Sequence, residues 1–340
     1  MPQPRILIVK LSSLGDILHV LPTVQAMHDQ LGARVDWAVQ PEYEALVRCF
    51  ACVDRVVAVP RHGRLRAARA TLRELRRSEY DLVVDLQGLF KSACVSRAAR
   101  APRRIGPSYA REGSWLAYSE RAGRMNRTRH AVEQAMDVLD HLGLQRPAFP
   151  AGEIRHPAVA LPPARRRIAL APVSRWPTKN WPAAHFGVLA QRLAQEPGTR
   201  LLVLGGAADH AVGEVIAGRA PGRIDNLCGR LSIPELFGAL KPCDLLIAND
   251  TGPVHAAAAL GRPCLVLFGP TQPEWTGPYG RGHRVLTRNL PCQPCLSRRC
   301  RRGDHACLAG ISPDEVEAAA RGLLGLAGGD GPRAGEGGPP

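Results

Sequence analysis

RILIVKLSSLGDILHV (residues 5–20) begins with a short apolar run, passes through a turn of small and polar residues, and enters an apolar-periodic segment that continues to about Leu31. That order reads as strand, loop and helix. Similar apolar runs recur at Val35–Val39, Val53–Val59 and Asp81–Leu86, separated by helical patterns at Leu65–Arg77 and Phe90–Ala99. Alternating strands and helices give a parallel sheet covered on both faces. A helix over His130–Leu142 stops at Gly143, and the proline-rich stretch Arg146–Pro163 reads as a linker.

The pattern then restarts. Strands at Arg167–Ala171, Arg200–Leu204, Asp244–Ala248 and Cys264–Phe268 alternate with helices near Pro182–Gln195, Ala211–Ala220, Ile233–Leu240 and Val254–Leu260. The expected fold class is α/β, with two doubly wound Rossmann-like domains facing a central cleft. The expected organisation is a domain over residues 1–145, a linker over 146–166, a domain over 167–326 that ends on a helix from Pro313, and a tail over 327–340 that is disordered by composition. Open α/β sheets bind ligands beyond the carboxyl ends of their strands, so the cleft is the expected site.

A chain of 340 residues with 45% hydrophobic and 22% charged side chains buries a full core, which excludes a disulfide miniprotein, a collagen-like repeat and a wholly disordered chain. No apolar run approaches the roughly 18 to 20 residues needed to cross a bilayer. The N-terminus lacks the apolar core and cleavage site of a secretory signal, so a cytoplasmic location is expected. The formal charge is +15, and the only lysines are Lys10, Lys91, Lys179 and Lys241. That balance suits nucleic acid, an anionic membrane surface or a phosphorylated substrate, or reflects only GC-rich coding. Aromatic residues at 5%, with no stacking motif or recognition helix, argue against nucleic acid as the partner. A peripheral membrane protein without a catalytic role stays open at this level.

IANDTGPVHAAAALGRPCLVLFGPT (residues 247–271) carries the most chemistry. A strand runs into Asn249 and Asp250, and a helix starts at Thr251 and Gly252 with Pro253 in its first turn. Free backbone N–H groups and the positive end of the helix dipole suit a phosphate or diphosphate there, with His255 one turn in as a further donor. An ordinary capped strand-to-helix turn fits the same residues. APVSRWPTKNWP (residues 171–182) places Ser174 and Lys179 after the first strand of the second half, where Lys179 either meets the same phosphates or is a surface lysine. In SSLGD, Asp16 suits a general base or an N-cap for a helix beginning at Ile17. DLQGLFKSA (residues 85–93) brings Gln87, Lys91 and Ser92 to another strand end. No GxGxxG or GxxxxGK[ST] pattern is present, which lowers nicotinamide and P-loop chemistry. The helix bearing Arg66, Arg69, Arg73, Arg76 and Arg77 is either a solvated face or a surface for anionic lipid.

Ten cysteines in a cytoplasmic chain should be thiols. Cys49, Cys52, Cys94, Cys228, Cys243 and Cys264 read as core filler. Cys292, Cys295, Cys300 and Cys307 are clustered, and one CxxC with two further cysteines suits a structural zinc or iron-sulfur site or a loop of reduced thiols.

Together KLSSLGDILHVLP, DLQGLFKSA, the PTKNWP loop and NDTGPVHAAAALGRPCLVLFGPT resemble the ADP-heptose:lipopolysaccharide heptosyltransferases, glycosyltransferase family 9, from Arg5 to about Leu326. The resemblance implies a GT-B fold and metal-independent inversion at the anomeric carbon, with no required cofactor and ADP-heptose as donor. It implies Asp16 as general base, with Ser174, Lys179, Asp250, Thr251, Gly252 and His255 at the donor diphosphate and Leu231 near the adenine. Lys10, Ser13, Gly15, Gln87 and Lys91 fall on the acceptor side by the same matching. HAVEQAMDVLDHLG and REGSWLAY look most like the heptosyltransferase I branch, whose acceptor is the Kdo of lipid A, with Arg61, Arg64 and Arg129 as candidates for its acidic groups. The four-cysteine segment is more typical of the heptosyltransferase II and related branches, so heptosyltransferase II or another family 9 transferase with a different acceptor or sugar is the alternative. The resemblance also implies action at the cytoplasmic face of the inner membrane.

Overall fold

The computed structural model describes residues 3–61, 65–126, 128–150 and 152–326. The first half runs β1 (Arg5–Val9), α1 (Leu14–Leu31), β2 (Arg34–Val39), α2 (Glu44–Val47), β3 (Arg55–Ala58), α3 (Leu65–Arg76), β4 (Leu82–Asp85), α4 (Phe90–Ala98), β5 (Arg103–Pro107), β6 (Glu120–Ala122) and α5 (Ala131–Leu142). The second runs β7 (Arg166–Ala171), α6 (Ala183–Ala194), β8 (Thr199–Val203), α7 (His210–Ala217), β9 (Ile224–Asn226), α8 (Ile233–Leu240), β10 (Leu245–Asn249), α9 (Gly252–Ala259), β11 (Cys264–Leu267), α10 (Pro273–Thr276), β12 (Arg284–Leu286), α11 (Ala306–Ala309) and α12 (Pro313–Leu323).

The two sheets repeat one topology. The first has strand order β3-β2-β1-β4-β5-β6 and the second β12-β11-β10-β7-β8-β9, every pair parallel. Each sheet therefore reverses direction of growth once, between β1 and β4 and between β7 and β10. At such a switch point the loops leaving two adjacent strands diverge to opposite faces and open a crevice at the carboxyl edge. Val9 lies beside Asp85 in the first sheet and Ala171 beside Ala248 in the second, so β1 and β4 end level and β10 runs one residue past β7.

Central strands such as LVVD and LLIAN are fully buried, as parallel strands covered on both faces must be. One apolar core runs from Ile6, Ile8, Ile17 and Leu21 in the first half to Ala169, Ala171, Leu246 and Val254 in the second, joining the domains. The stretch read as a linker is pinned to both halves. Ile154 bridges to Phe50, and Pro157 packs its carbonyl against Gly238 of α8, where a Cβ would collide with it. Gly143 closes α5 in the left-handed region (φ 69°), a conformation that favours glycine.

Three expectations need correction. The first helix begins at Leu14, so Ser13 is its N-cap and Asp16 is the third helical residue rather than the cap. Cys94 is exposed rather than core, because its position on α4 faces outward. Four short strands, β5, β6, β9 and β12, carry no apolar run and were not expected. Arg64 and residues 327–340 lie outside the described residues. Among those described, no helix is long and apolar enough to cross a membrane.

Candidate active site

Both switch points open into one cavity of about 280 Å³, lined from the first domain by Ser13, Gly15, Asp16 and His19 and from the second by Ser174, Lys179, Asp250, Thr251, Gly252 and His255. Asp16 reaches it through a capping box: its Oδ2 accepts from the Ser13 N–H at 3.0 Å and from the Ser13 hydroxyl at 2.7 Å. Burial opposes the charge on Asp16, but Lys10 and the two Ser13 hydrogen bonds lead the contributions that outweigh it and hold the carboxyl below its ordinary range. Lys10 is itself buried and donates to the Leu86 carbonyl at 2.9 Å; burial pulls its ammonium down despite Asp16 and Asp85.

On the opposite wall, β10 ends at Asn249, whose side chain is spent on structure. Its Oδ1 accepts from the Trp181 N–H at 3.0 Å and its Nδ2 donates to the Pro172 carbonyl at 2.5 Å, lashing the two loops together. Asp250 follows and takes the Lys179 ammonium at 2.6 Å and the Thr271 hydroxyl at 2.7 Å on one oxygen, Oδ2. Lys179 is thus a cleft residue rather than a surface one, with Trp176 packed 4.8 Å from its nitrogen. Ser174 donates through its hydroxyl to the Asp250 carbonyl at 3.0 Å. Thr251 caps α9 with its backbone while its side chain makes no capping bond, so the first N–H groups of that helix stay available to an anion.

Two further cavities adjoin the first. One, of about 580 Å³, is lined by Val173, Leu204, Gly205, Gly206, Leu231 and Leu236 and continues past Ser174 and Thr251. Its apolar walls and glycine floor suit a flat ring. The other, of about 340 Å³, shares Asp16 and His19 and is lined by Lys10, Gln87, Tyr109, Arg111 and Gln134. Gln87 receives the Leu11 and Ser12 N–H groups on Oε1, bracing the β1 loop from the β4 side of the switch point.

The structure gathers Lys10, Ser13, Gly15, Asp16, Gln87, Ser174, Lys179, Leu231, Asp250, Thr251, Gly252 and His255 around this continuous cleft. It does not bring the rest there in the same way. Lys91 spends its ammonium on the Pro60 and Arg61 carbonyls, fastening that loop, and Arg61 is exposed. Arg129 is clamped to both oxygens of Asp137 at 2.9 and 3.0 Å, beside Arg146. His19, Tyr109, Arg111 and Gln134 were missed. His19 sits one helical turn after Asp16, a spacing visible in GDILH; the others have no local signal.

The four clustered cysteines line one cavity with Arg299, Arg301 and Arg302, but among the described residues no group of three or more His, Cys, Asp or Glu side chains is arranged to hold a metal ion. Cys292 and Cys295 are exposed, and Cys300 and Cys307 are half-buried. The segment also braces the Lys179 loop: the Thr178 hydroxyl donates to the Ser297 carbonyl at 2.7 Å, next to Lys179.

Two Rossmann-like domains facing one cleft, with Asp16 on one wall and Lys179 and the start of α9 on the other, have the architecture of the GT-B glycosyltransferases. The sequence pattern of glycosyltransferase family 9 (heptosyltransferase) matches residues 68–305, and the chain belongs to that family. It is 32% identical over 324 residues to lipopolysaccharide heptosyltransferase 1 of Pseudomonas aeruginosa, covering 87% of each chain. To lipopolysaccharide heptosyltransferase 1 of Escherichia coli it is 30% identical, over 83% of this chain and 92% of the relative. The solved structure of E. coli heptosyltransferase WaaC with ADP superposes with a TM-score of 0.78 at 25% identity, covering 94% of this chain and 99% of that one.

Proposed function

We propose that this enzyme transfers a heptosyl group from ADP-heptose to the Kdo region of lipopolysaccharide, with inversion at the anomeric carbon. The observation that carries it is Asp16 and the Lys179–Asp250–Thr251 wall sharing one cavity from opposite domains. The ADP diphosphate lies against Lys179, the first N–H groups of α9 and His255, with the adenosine in the cavity that includes Leu231. The acceptor enters past Gln87, Tyr109 and Arg111. Asp16 takes the proton of the acceptor hydroxyl as its oxygen forms the bond to the anomeric carbon. The bond from that carbon to the diphosphate oxygen breaks, and the charge left on ADP meets Lys179 and the helix N-terminus.

The similarity to first-heptose enzymes supports Kdo-lipid A as the acceptor, and the Arg111 guanidinium supports an acidic sugar whose carboxylate it meets. Exposed Arg69, Arg73, Arg76 and Arg77 on and just after α3, with Leu75 buried beneath, support docking on anionic lipid at the cytoplasmic face of the inner membrane. The test is ADP release from ADP-heptose offered with Kdo-lipid A and, separately, with heptosyl-Kdo-lipid A. Release with the first acceptor supports the proposal. Release with only the second moves the enzyme one sugar outward, and release with neither refutes heptosyl transfer to this core.

A further inference from the structure

His19 from α1 and His255 from α9 meet across the cleft, Nε2 to Nδ1 at 3.0 Å, with ring centroids 4.5 Å apart and planes nearly perpendicular. One proton occupies that bond, so one ring donates and the other accepts. Burial and the neighbouring ring push His19 well below its usual pKa. Burial also lowers His255, although Asp250 and Asp16 pull it up against His130 and Lys179. Both rings are therefore neutral, and each carries one N–H.

Two arrangements are possible, and the surroundings separate them. Nδ1 of His19 is buried and has no hydrogen-bond partner among the described residues. His130, whose ring lies 5.4 Å away, does not serve it: His130 Nδ1 accepts from the Val132 N–H, and Nε2 donates to the Gly277 carbonyl. If His255 were the donor, His19 would hold its own proton on that orphaned Nδ1, and a buried N–H without an acceptor costs more than a bare ring nitrogen. His255 would also carry a lone pair rather than a donor on Nε2, in a cavity read as an anion site. If His19 donates, both faults vanish. Nε2 of His255 sits over Gly15, where an added Cβ would come within 2.9 Å of it, and its N–H then faces the cleft.

We propose that His19 is a positioning residue: by donating its Nε2–H to His255 Nδ1, it holds His255 as the tautomer whose Nε2–H is a fixed neutral donor to the departing diphosphate. The bond joins the two domains, so the donor is aimed only when they are apposed. Its part in turnover rests on the heptosyl-transfer reading, whereas the tautomer does not.

The test uses full-length enzyme labelled with ¹⁵N-histidine, long-range ¹H–¹⁵N spectra, and the variants His19→Met and His19→Gln. The expected wild-type spectrum has His255 protonated at Nε2, and His19→Met converts it to a mixture of tautomers. Turnover in His19→Met is expected to fall about tenfold, the scale of losing a group that orients another, with KM for ADP-heptose within about threefold. His19→Gln, whose amide N–H reaches toward the same acceptor, restores turnover to within about threefold of wild type. A wild-type His255 protonated at Nδ1 overturns the assignment and needs no variant, so an unfolded His19→Met does not shelter it. A His19→Met enzyme with unchanged tautomer and unchanged turnover overturns it too. Absence of any heptosyl transfer, with the tautomer shift intact, refutes the transfer reading while supporting the hydrogen-bond assignment.

Discussion

Gly15→Ala tests whether the close approach of α1 and α9 sets the reacting geometry. A Cβ on Gly15 would lie 2.5 Å from His255 Cδ2 and 2.9 Å from Nε2. Ordinary carbon contacts lie near 3.5 Å, so the ring or the helix gives way by about 1 Å. The ring is half-buried and hydrogen-bonded to His19 at 3.0 Å, which leaves parting of the helices as the easier response. Overpacking of this kind costs about 1–3 kcal/mol of stability. Asp16 rides on α1 and the diphosphate wall on α9, so the same parting separates base from leaving group, and a misplacement of about 1 Å costs up to about 10² in rate. Gly15 does not need a positive φ, so contact and not backbone strain is the cause. The assay is kcat at saturating acceptor, ADP affinity by calorimetry and the urea unfolding midpoint. The expected result is a kcat loss of about 30- to 100-fold with ADP affinity within about threefold, since the diphosphate wall belongs to one domain. A variant with kcat within about threefold of wild type, at a lowered unfolding midpoint, would refute the reasoning.

For Asp16→Asn, turnover falls by about 10² or more while ADP binding persists, and near-normal turnover removes Asp16 from the base role. Lys179→Ala weakens ADP binding by about tenfold or more, as calorimetry will read, because a charge-assisted contact is lost. Arg111→Ala raises KM for the Kdo acceptor by about tenfold and leaves ADP affinity alone; an unchanged acceptor KM sends the acidic group elsewhere. In kcat/KM against pH, Asp16 stays ionised through the neutral range, because Lys10 and the Ser13 hydrogen bonds counter the burial that opposes its charge. Its contribution to stability is present above the unfolded pKa and lost as pH falls through the lower folded one, and an acid limb near about pH 6 that vanishes in Asp16→Asn contradicts this.

Central strands were legible because burial on both faces leaves no room for polar residues: RILIV, LVVD, LLIAN and CLVL announce themselves. The strands that escaped notice are RRIGP, ERA, IDN and RVL. β6, β9 and β12 are sheet edges and β5 lies next to one, where solvent on one side permits arginine, glutamate and aspartate and where ladders are short. In the site, Asp16, Lys179 and the DTGPVH turn were legible because strand end and helix start lie together in the sequence. Tyr109, Arg111 and Gln134 were not, since only the crossover from β5 and the packing of α5 against α1 bring them beside Asp16. Arg129 came forward through the family resemblance alone, and its setting depends on Asp137, eight residues further on and within α5.

The Lys179–Asp250 pair gives the donor pocket a resident counter-ion. Under the proposed function, an arriving diphosphate does not meet a bare ammonium: one of its three N–H donors is already held by Asp250, and that carboxylate stands as a fixed negative charge beside the anion. Affinity on that reading is what remains of the lysine's attraction once the charge of Asp250 is set against it. The same pairing leaves the site neutralised when ADP departs, without recruiting an ion from solution.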